Sequence, residues 1–224
     1  MVKQFDRIER KHAAFIASQH VFFTASAAAS GRVNVSPRGT DAFRVVDPRT
    51  VAYLDETGSG NETAAHLRLT GRLTMMFCSF AAKPMILRLY GQGRSLPRGS
   101  DAYQTMLRRV YGNQQPPGAR QIVCLDVDLV QLSCGNGVPM FDFVAARPTL
   151  RQRAAAKGEA WLAVYRQQNN AFSIDGFPTG ILPDSGDAPD PGAATETGAA
   201  TETGGPAEAA GGADPAADAL ATAV

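Results

Sequence analysis

The residues best suited to chemistry lie close together at positions 58–67, Gly-Ser-Gly-Asn-Glu-Thr-Ala-Ala-His-Leu. An apolar run before them, residues 50–55, reads as a strand, and residues 63–69 after them read as a short helix ending at Thr70-Gly71. A strand, a glycine turn and a helix start gather unpaired backbone N–H groups, and the helix dipole adds partial positive charge, so the place suits a phosphate. Gly60 would let the backbone approach, and Asn61 and Thr63 would add side-chain donors. The same residues also fit a plain capped helix, with Ser59 or Asn61 as cap. No lysine completes a P-loop, and Thr63 stands where a dinucleotide fingerprint needs its third glycine.

Two further stretches carry polar groups at telling positions. Residues 32–36 alternate strictly, with Arg32, Asn34 and Ser36 on one face of a strand and Val33 and Val35 on the other. The polar face either meets water or lines a wet pocket inside a barrel. Arg88 sits within an otherwise apolar strand, residues 85–94, where a charge needs a partner. That partner is a carboxylate or a ligand anion. Gly91 and Gly93 in the same strand point to a bulge or a close backbone approach. His66 reads as a packed or capping histidine, or as one that reaches a ligand. Cys134, beside glycines, reads as a buried inert thiol or a reactive one. No Ser/His/Asp set and no general base stands out.

These groups must be positioned by a chain of 224 residues, 44% hydrophobic, with a formal net charge of +1. The charge is uneven. Residues 184–224 hold eight of the 21 acidic residues and no basic one, so the body, residues 1–183, carries all 22 basic residues and a formal +9. A cationic body favours anionic ligands. Without a basic run interleaved with aromatics, or zinc-finger spacing, nucleic acid is not expected. Three scattered cysteines, Cys78, Cys124 and Cys134, make neither a disulfide framework nor a metal site. No stretch reads as a signal peptide or a membrane span, and the expected setting is cytoplasmic.

The rest of the chain supplies the frame. A capping arrangement at residues 6–9 opens an amphipathic helix to about Gln19, with His12 and His20 at its surface or boundary. Strands are expected at 21–26, 32–36, 50–55, 72–80, 85–94 and 120–133, with a short edge strand at 43–46. The 72–80 run is apolar enough to be buried on both faces, with Cys78 a small core residue. Ser100-Asp101 caps a helix to about Tyr111, and a last helix spans 151–168. Residues 174–182 read as irregular. Beyond Pro183 an Ala/Gly/Thr-rich acidic tail, with Ala-Ala-Thr-Glu-Thr-Gly repeated, has too few large apolar groups to order itself. Six strands with few helices predict a mainly β, α+β protein built on a small split β-barrel.

Residues 31–39, 50–55, 58–67, 71–78 and 87–94, in this order and spacing, resemble the pyridoxamine 5′-phosphate oxidase-like family of flavin-binding split barrels. The resemblance covers about residues 10–140. It implies a six-stranded split barrel, a homodimer, FMN held between subunits, and hydride transfer at flavin N5 with a small-molecule substrate. By this resemblance Arg32, Val33, Asn34, Val35 and Ser36 run beside the flavin ring, with Asn34 and Ser36 as donors to it. Tyr53, Leu54, Gly60, Asn61 and Thr63 would reach the ribityl chain and phosphate. The oxidase proper has an Arg-Lys pair where this chain has Asn61-Glu62-Thr63, so Glu62 is expected to turn away and Arg38 or Arg88 to supply the countercharge. The oxidase's C-terminal tryptophan and arginine have no clear match. Rival readings are a flavin- or haem-binding carrier without turnover and a deazaflavin-dependent reductase.

Overall fold

The computed structural model describes residues 2–182. The expected acidic tail from residue 184 lies outside the described residues. The elements run β1 (Lys3–Phe5), α1 (Arg10–Ala17), β2 (Val21–Ser26), β3 (Asn34–Gly39), β4 (Phe43–Asp47), β5 (Thr50–Glu56), α2 (Glu62–Leu69), β6 (Arg72–Cys78), β7 (Ile86–Pro97), α3 (Asp101–Tyr111), β8 (Ala119–Ser133) and α4 (Thr149–Asn169).

The strands form one antiparallel eight-stranded sheet in the order β3-β2-β6-β7-β8-β5-β4, with β1 added beside β8. It curls into a half-barrel, the split-barrel class that the strand pattern predicts. The strand count exceeds six because the edge strand β4 forms and because β1 pairs at Lys3–Leu132, where a three-residue strand leaves almost no periodic signal. Gly91 makes the bend in β7: the register shifts there, and a side-chain carbon would fall 1.9 Å from the Asp126 carbonyl oxygen.

The barrel interior is filled by every second residue of these strands. Phe22, Phe43, Tyr53 and Phe77 pack ring against ring at 5.0–5.4 Å between centroids. Val123, Leu125, Leu87 and Leu89 complete this core. A second core, on the opposite side of β5 and β8, holds Leu54, Ile122 and Cys124 beneath Tyr103, Met106 and Leu107 of α3. Ser100 starts α3 as expected, accepting from the Tyr103 N–H at 3.2 Å.

Three local expectations are corrected. The first helix is capped by Glu9, not Asp6, through a reciprocal box with His12, whose Nδ1 accepts from the Glu9 N–H at 3.1 Å. His12 is therefore buried rather than at the surface, packed edge-on against Phe5. β6 is not buried on both faces: Leu73, Met75 and Phe77 face the core, while Thr74 and Met76 are half-buried on the outer side.

Candidate functional site

Strand register decides which way each predicted site residue faces. β3 pairs with β2 as Ser26–Asn34, Thr24–Ser36 and Phe22–Arg38, and paired residues share a face of the sheet. Ser26, Thr24 and Phe22 are buried on the inner face, so Asn34, Ser36 and Arg38 point inward with them. The outer face carries Val35, 61% exposed, and Val33 just before the strand is 69% exposed. The alternation read from the sequence holds from Asn34 on, with the polar side inside; β3 begins only at Asn34, so Arg32 precedes the strand and is exposed instead of facing inward with Asn34 and Ser36.

The start of α2 meets this polar side. The Asn34 amide lies 3.2 Å from both the Thr63 and the Ser36 hydroxyls. One turn on, His66 places Nδ1 3.0 Å from the Ser26 hydroxyl. Asn34, Ser36, Thr63, Ser26 and His66 thus form one buried or half-buried polar patch between β2, β3 and α2. Tyr53 closes the neighbouring inner wall, with the Arg38 guanidinium 4.7 Å from its ring centre. The Tyr53 hydroxyl and the His66 Nε2 are buried without a hydrogen-bond partner among the described residues. Burial pushes the Tyr53 phenol up to about 12.

Asn61 is drawn into a different group. Its side-chain oxygen accepts from Gln121 at 2.7 Å, and its amide approaches the Asn170 carbonyl at 3.5 Å, so it does not cap the helix. Gln121 and Arg120 both reach Asp55, at 2.7 and 2.8 Å. Consecutive residues can do this because β8 carries one extra residue here: Asp55 pairs with Gln121 and Glu56 with Ala119, leaving Arg120 unopposed. Arg38 pairs with the other Asp55 oxygen. Burial alone would raise the Asp55 carboxyl, but the Arg120 and Arg38 guanidiniums outweigh it and hold it at about 2. Burial would lower Arg38, but Asp55 keeps it above its ordinary value. Arg120 also donates to the Asn170 side chain at 2.9 Å, which ties the end of α4 into the network.

The remaining predicted residues lie apart. Leu54 faces α3 in the second core. Gly60 is exposed in the turn. Arg88 sits on the outer side of β7, 3.2 Å from the Ser133 hydroxyl. Neither arginine proposed as countercharge stands free at α2, because Arg38 is committed to Asp55 and Arg88 faces outward. Glu62 accepts the Ile174 N–H at 3.0 Å through one carboxylate oxygen, and its other oxygen lies beside Gly60. Arg32, with its side chain 72% exposed, pairs with Asp175, and its backbone N–H donates to the same carboxylate at 2.7 Å. Cys134 is exposed, contrary to the buried reading.

Sequence reasoning passed over Asp55, Arg120, Gln121, Asn170 and Asp175. The signal was present for the first three, since each is a polar residue within an otherwise apolar strand, the test applied to Arg88. Asn170 and Asp175 gave none, because they lie in an irregular stretch far along the chain from Arg120 and Arg32, 50 and 143 residues away. A cavity of about 1230 Å³ opens elsewhere, between the end of α1, the β6–β7 turn and residues 140–143, and none of the predicted site residues lines it. Among the described residues no group of His, Cys, Asp or Glu could hold a metal ion.

Residues 8–134 match the family model described as pyridoxamine 5′-phosphate oxidase. The chain belongs to this family. Over 178 residues it is 41% identical to the pyridoxamine 5′-phosphate oxidase family protein ustO of Aspergillus flavus, covering 71% of this chain and 70% of that one. Among solved structures it is similar to HupZ of Group A Streptococcus, at 17% identity over 55% of this chain and 91% of that one, with a TM-score of 0.43. It is also similar to a FAD-binding protein of Mesorhizobium loti, at 14% identity over 59% of this chain and 97% of that one, with a TM-score of 0.38. No helix among the described residues is long and apolar enough to cross a membrane.

Proposed function

We propose that this protein is an FMN-dependent oxidoreductase that works as a homodimer. The observation that carries this reading is the inward polar patch. Asn34, Ser36 and Thr63 converge from two elements, and beside them the Tyr53 hydroxyl and the His66 Nε2 lie buried with no partner. Buried polar atoms are nearly always satisfied, so orphans beside a polar lining fit a ligand that completes it.

FMN would be held by Arg32 and Thr63 at its phosphate and by Asn34 and Ser36 at its ring. A bound flavin supplies hydride exchange at N5. This chain's part is to position and polarise. The Asn34 amide and Ser36 hydroxyl provide donors where negative charge gathers. Arg38, locked on Asp55, holds its guanidinium against the Tyr53 ring and so fixes that wall. Tyr53 remains protonated at neutral pH and can donate. Val35 of β3 and Val33 just before it give the outer side an apolar surface that a second copy would cover.

The test is the absorbance of the purified protein and the mass of whatever small molecule leaves it on denaturation. Flavin bands, bleached by NADH or NADPH and restored in air, support a flavin oxidoreductase. A flavin that no donor reduces supports a carrier, and a Soret band supports haem. A colourless protein that takes up no flavin refutes the reading.

A further inference from the structure

The stretch after α4 is built as a loop with a buried base and a tip held through polar links. At the base, Asn170 and Thr179 are buried, the Thr179 hydroxyl donates to the Asn170 carbonyl at 2.6 Å, and Asn170 is tied to Arg120 and to the Gly58 carbonyl. Within the loop, Ser173 and Gly176 close turns on Phe177 and Ser173, and Phe172 pairs with Pro178. The tip reaches over the start of α2 and the β2–β3 turn. Its polar links to them are the Ile174 N–H on Glu62 and the Asp175 carboxylate on Arg32. Ile174 itself is 71% exposed and adds little burial.

The turn is shaped to receive that carboxylate. Gly31 has φ +83°, and a side-chain carbon there would come within 2.6 Å of the Asp175 Oδ2. A backbone N–H and a guanidinium converge on the bound oxygens, the donor set that a phosphate also uses.

We propose that residues 172–179 form a strap whose Asp175 carboxylate occupies the anion seat at Arg32, and that a phosphate-bearing ligand gains Arg32 by displacing it. This rests on the flavin reading for the ligand's identity, but not for the latch itself. Closed, the strap covers the start of α2 and neutralises Arg32. Opened, it frees Arg32 while the buried base keeps the loop attached.

The experiment compares the full-length protein with its D175N variant by amide hydrogen exchange, alone, with FMN and with inorganic phosphate, and by FMN titration. The expected result is faster exchange at Ile174 and Gly176 in the variant, with the β5 and β8 amides unchanged. FMN should bind the variant about fivefold more tightly, because a closed fraction no longer competes. Exchange at the tip that is the same in both proteins overturns the latch. Equal or weaker FMN binding by an opened variant overturns the competition. If FMN binds neither protein the flavin reading fails, and phosphate then decides: faster tip exchange in the unmodified protein supports the seat, and no change refutes it. G31A, which crowds the seat without altering charge, should open the tip as D175N does.

Discussion

Asp55 and Asp175 each meet arginine from a distant part of this chain, and the two groups behave as opposites. Asp55 is fully buried between Arg38 and Arg120 and also accepts from Gln121. Asp175, at the tip of a loop, is itself only 10% exposed but meets an arginine whose side chain is 72% exposed. The chemistry is the same, but the surroundings differ. Removing water makes the Asp55 group all-or-nothing, since any one member left alone would be an unpaired buried charge. Water around Arg32 makes its pair replaceable. One pair fixes the barrel's split edge by tying β3 to β5. The other is placed to be exchanged for a ligand.

The contrast breaks most sharply if Asp55 is removed. D55A should destabilise the fold by about 3–5 kcal/mol, because two guanidiniums lose their buried counterion. Chemical denaturation measures this, and a loss no larger than that of R32A would erase the distinction.

Acid should expose the same difference. The Asp55 carboxyl is held at about 2 in the folded chain against an ordinary 3.8. A depressed carboxylate stabilises above its unfolded value and stops doing so as pH falls through its folded one. The group's contribution, roughly 2 kcal/mol for a shift of this size, should therefore drain away between pH 3.8 and 2. Thermal melts across that window read it, and D55N should flatten the slope.

Tyr53 sharpens the comparison from the ligand side. Y53F deletes an unpartnered buried hydroxyl, so without ligand it should be neutral or stabilising by about 1 kcal/mol. If the hydroxyl serves a ligand, the same change should weaken FMN binding. A variant that loses stability would mean that the hydroxyl already has a partner.

The smallest stability effect is expected at the exposed pair. R32A should shift unfolding by no more than about 1 kcal/mol. Its signature is weaker FMN binding in a fold of nearly unchanged stability.

The fold was legible where periodicity was strong. β2, β5, β7, β8 and α3 lie where alternation, capping and apolar runs put them, and the glycine bend at Gly91 followed from its place inside a strand. β1 was not, because pairing across the sheet stabilises three residues that have no pattern of their own. The outer side of β6 misled because Met76 is apolar yet lies only half-buried on that face. At the site, the alternation of Asn34 and Ser36 was readable, but which side of the barrel they faced was not, since that depends on register with β2. Asp55, Arg120 and Gln121 could have been found by asking which charges in apolar strands would need one another. The strap could not, because Asp175 acts through a contact that no local pattern encodes.

The central claim is that a flavin phosphate ester settles against the inward polar patch of β3 and α2. Titrating FMN into the unmodified protein and into a variant carrying both N34A and T63A, followed by quenching of flavin fluorescence, tests it most directly. The account predicts one FMN per chain and a loss of affinity of about tenfold or more in the variant, the equivalent of at least one hydrogen bond. Equal affinity in the two proteins, or no uptake by the unmodified one, would contradict it.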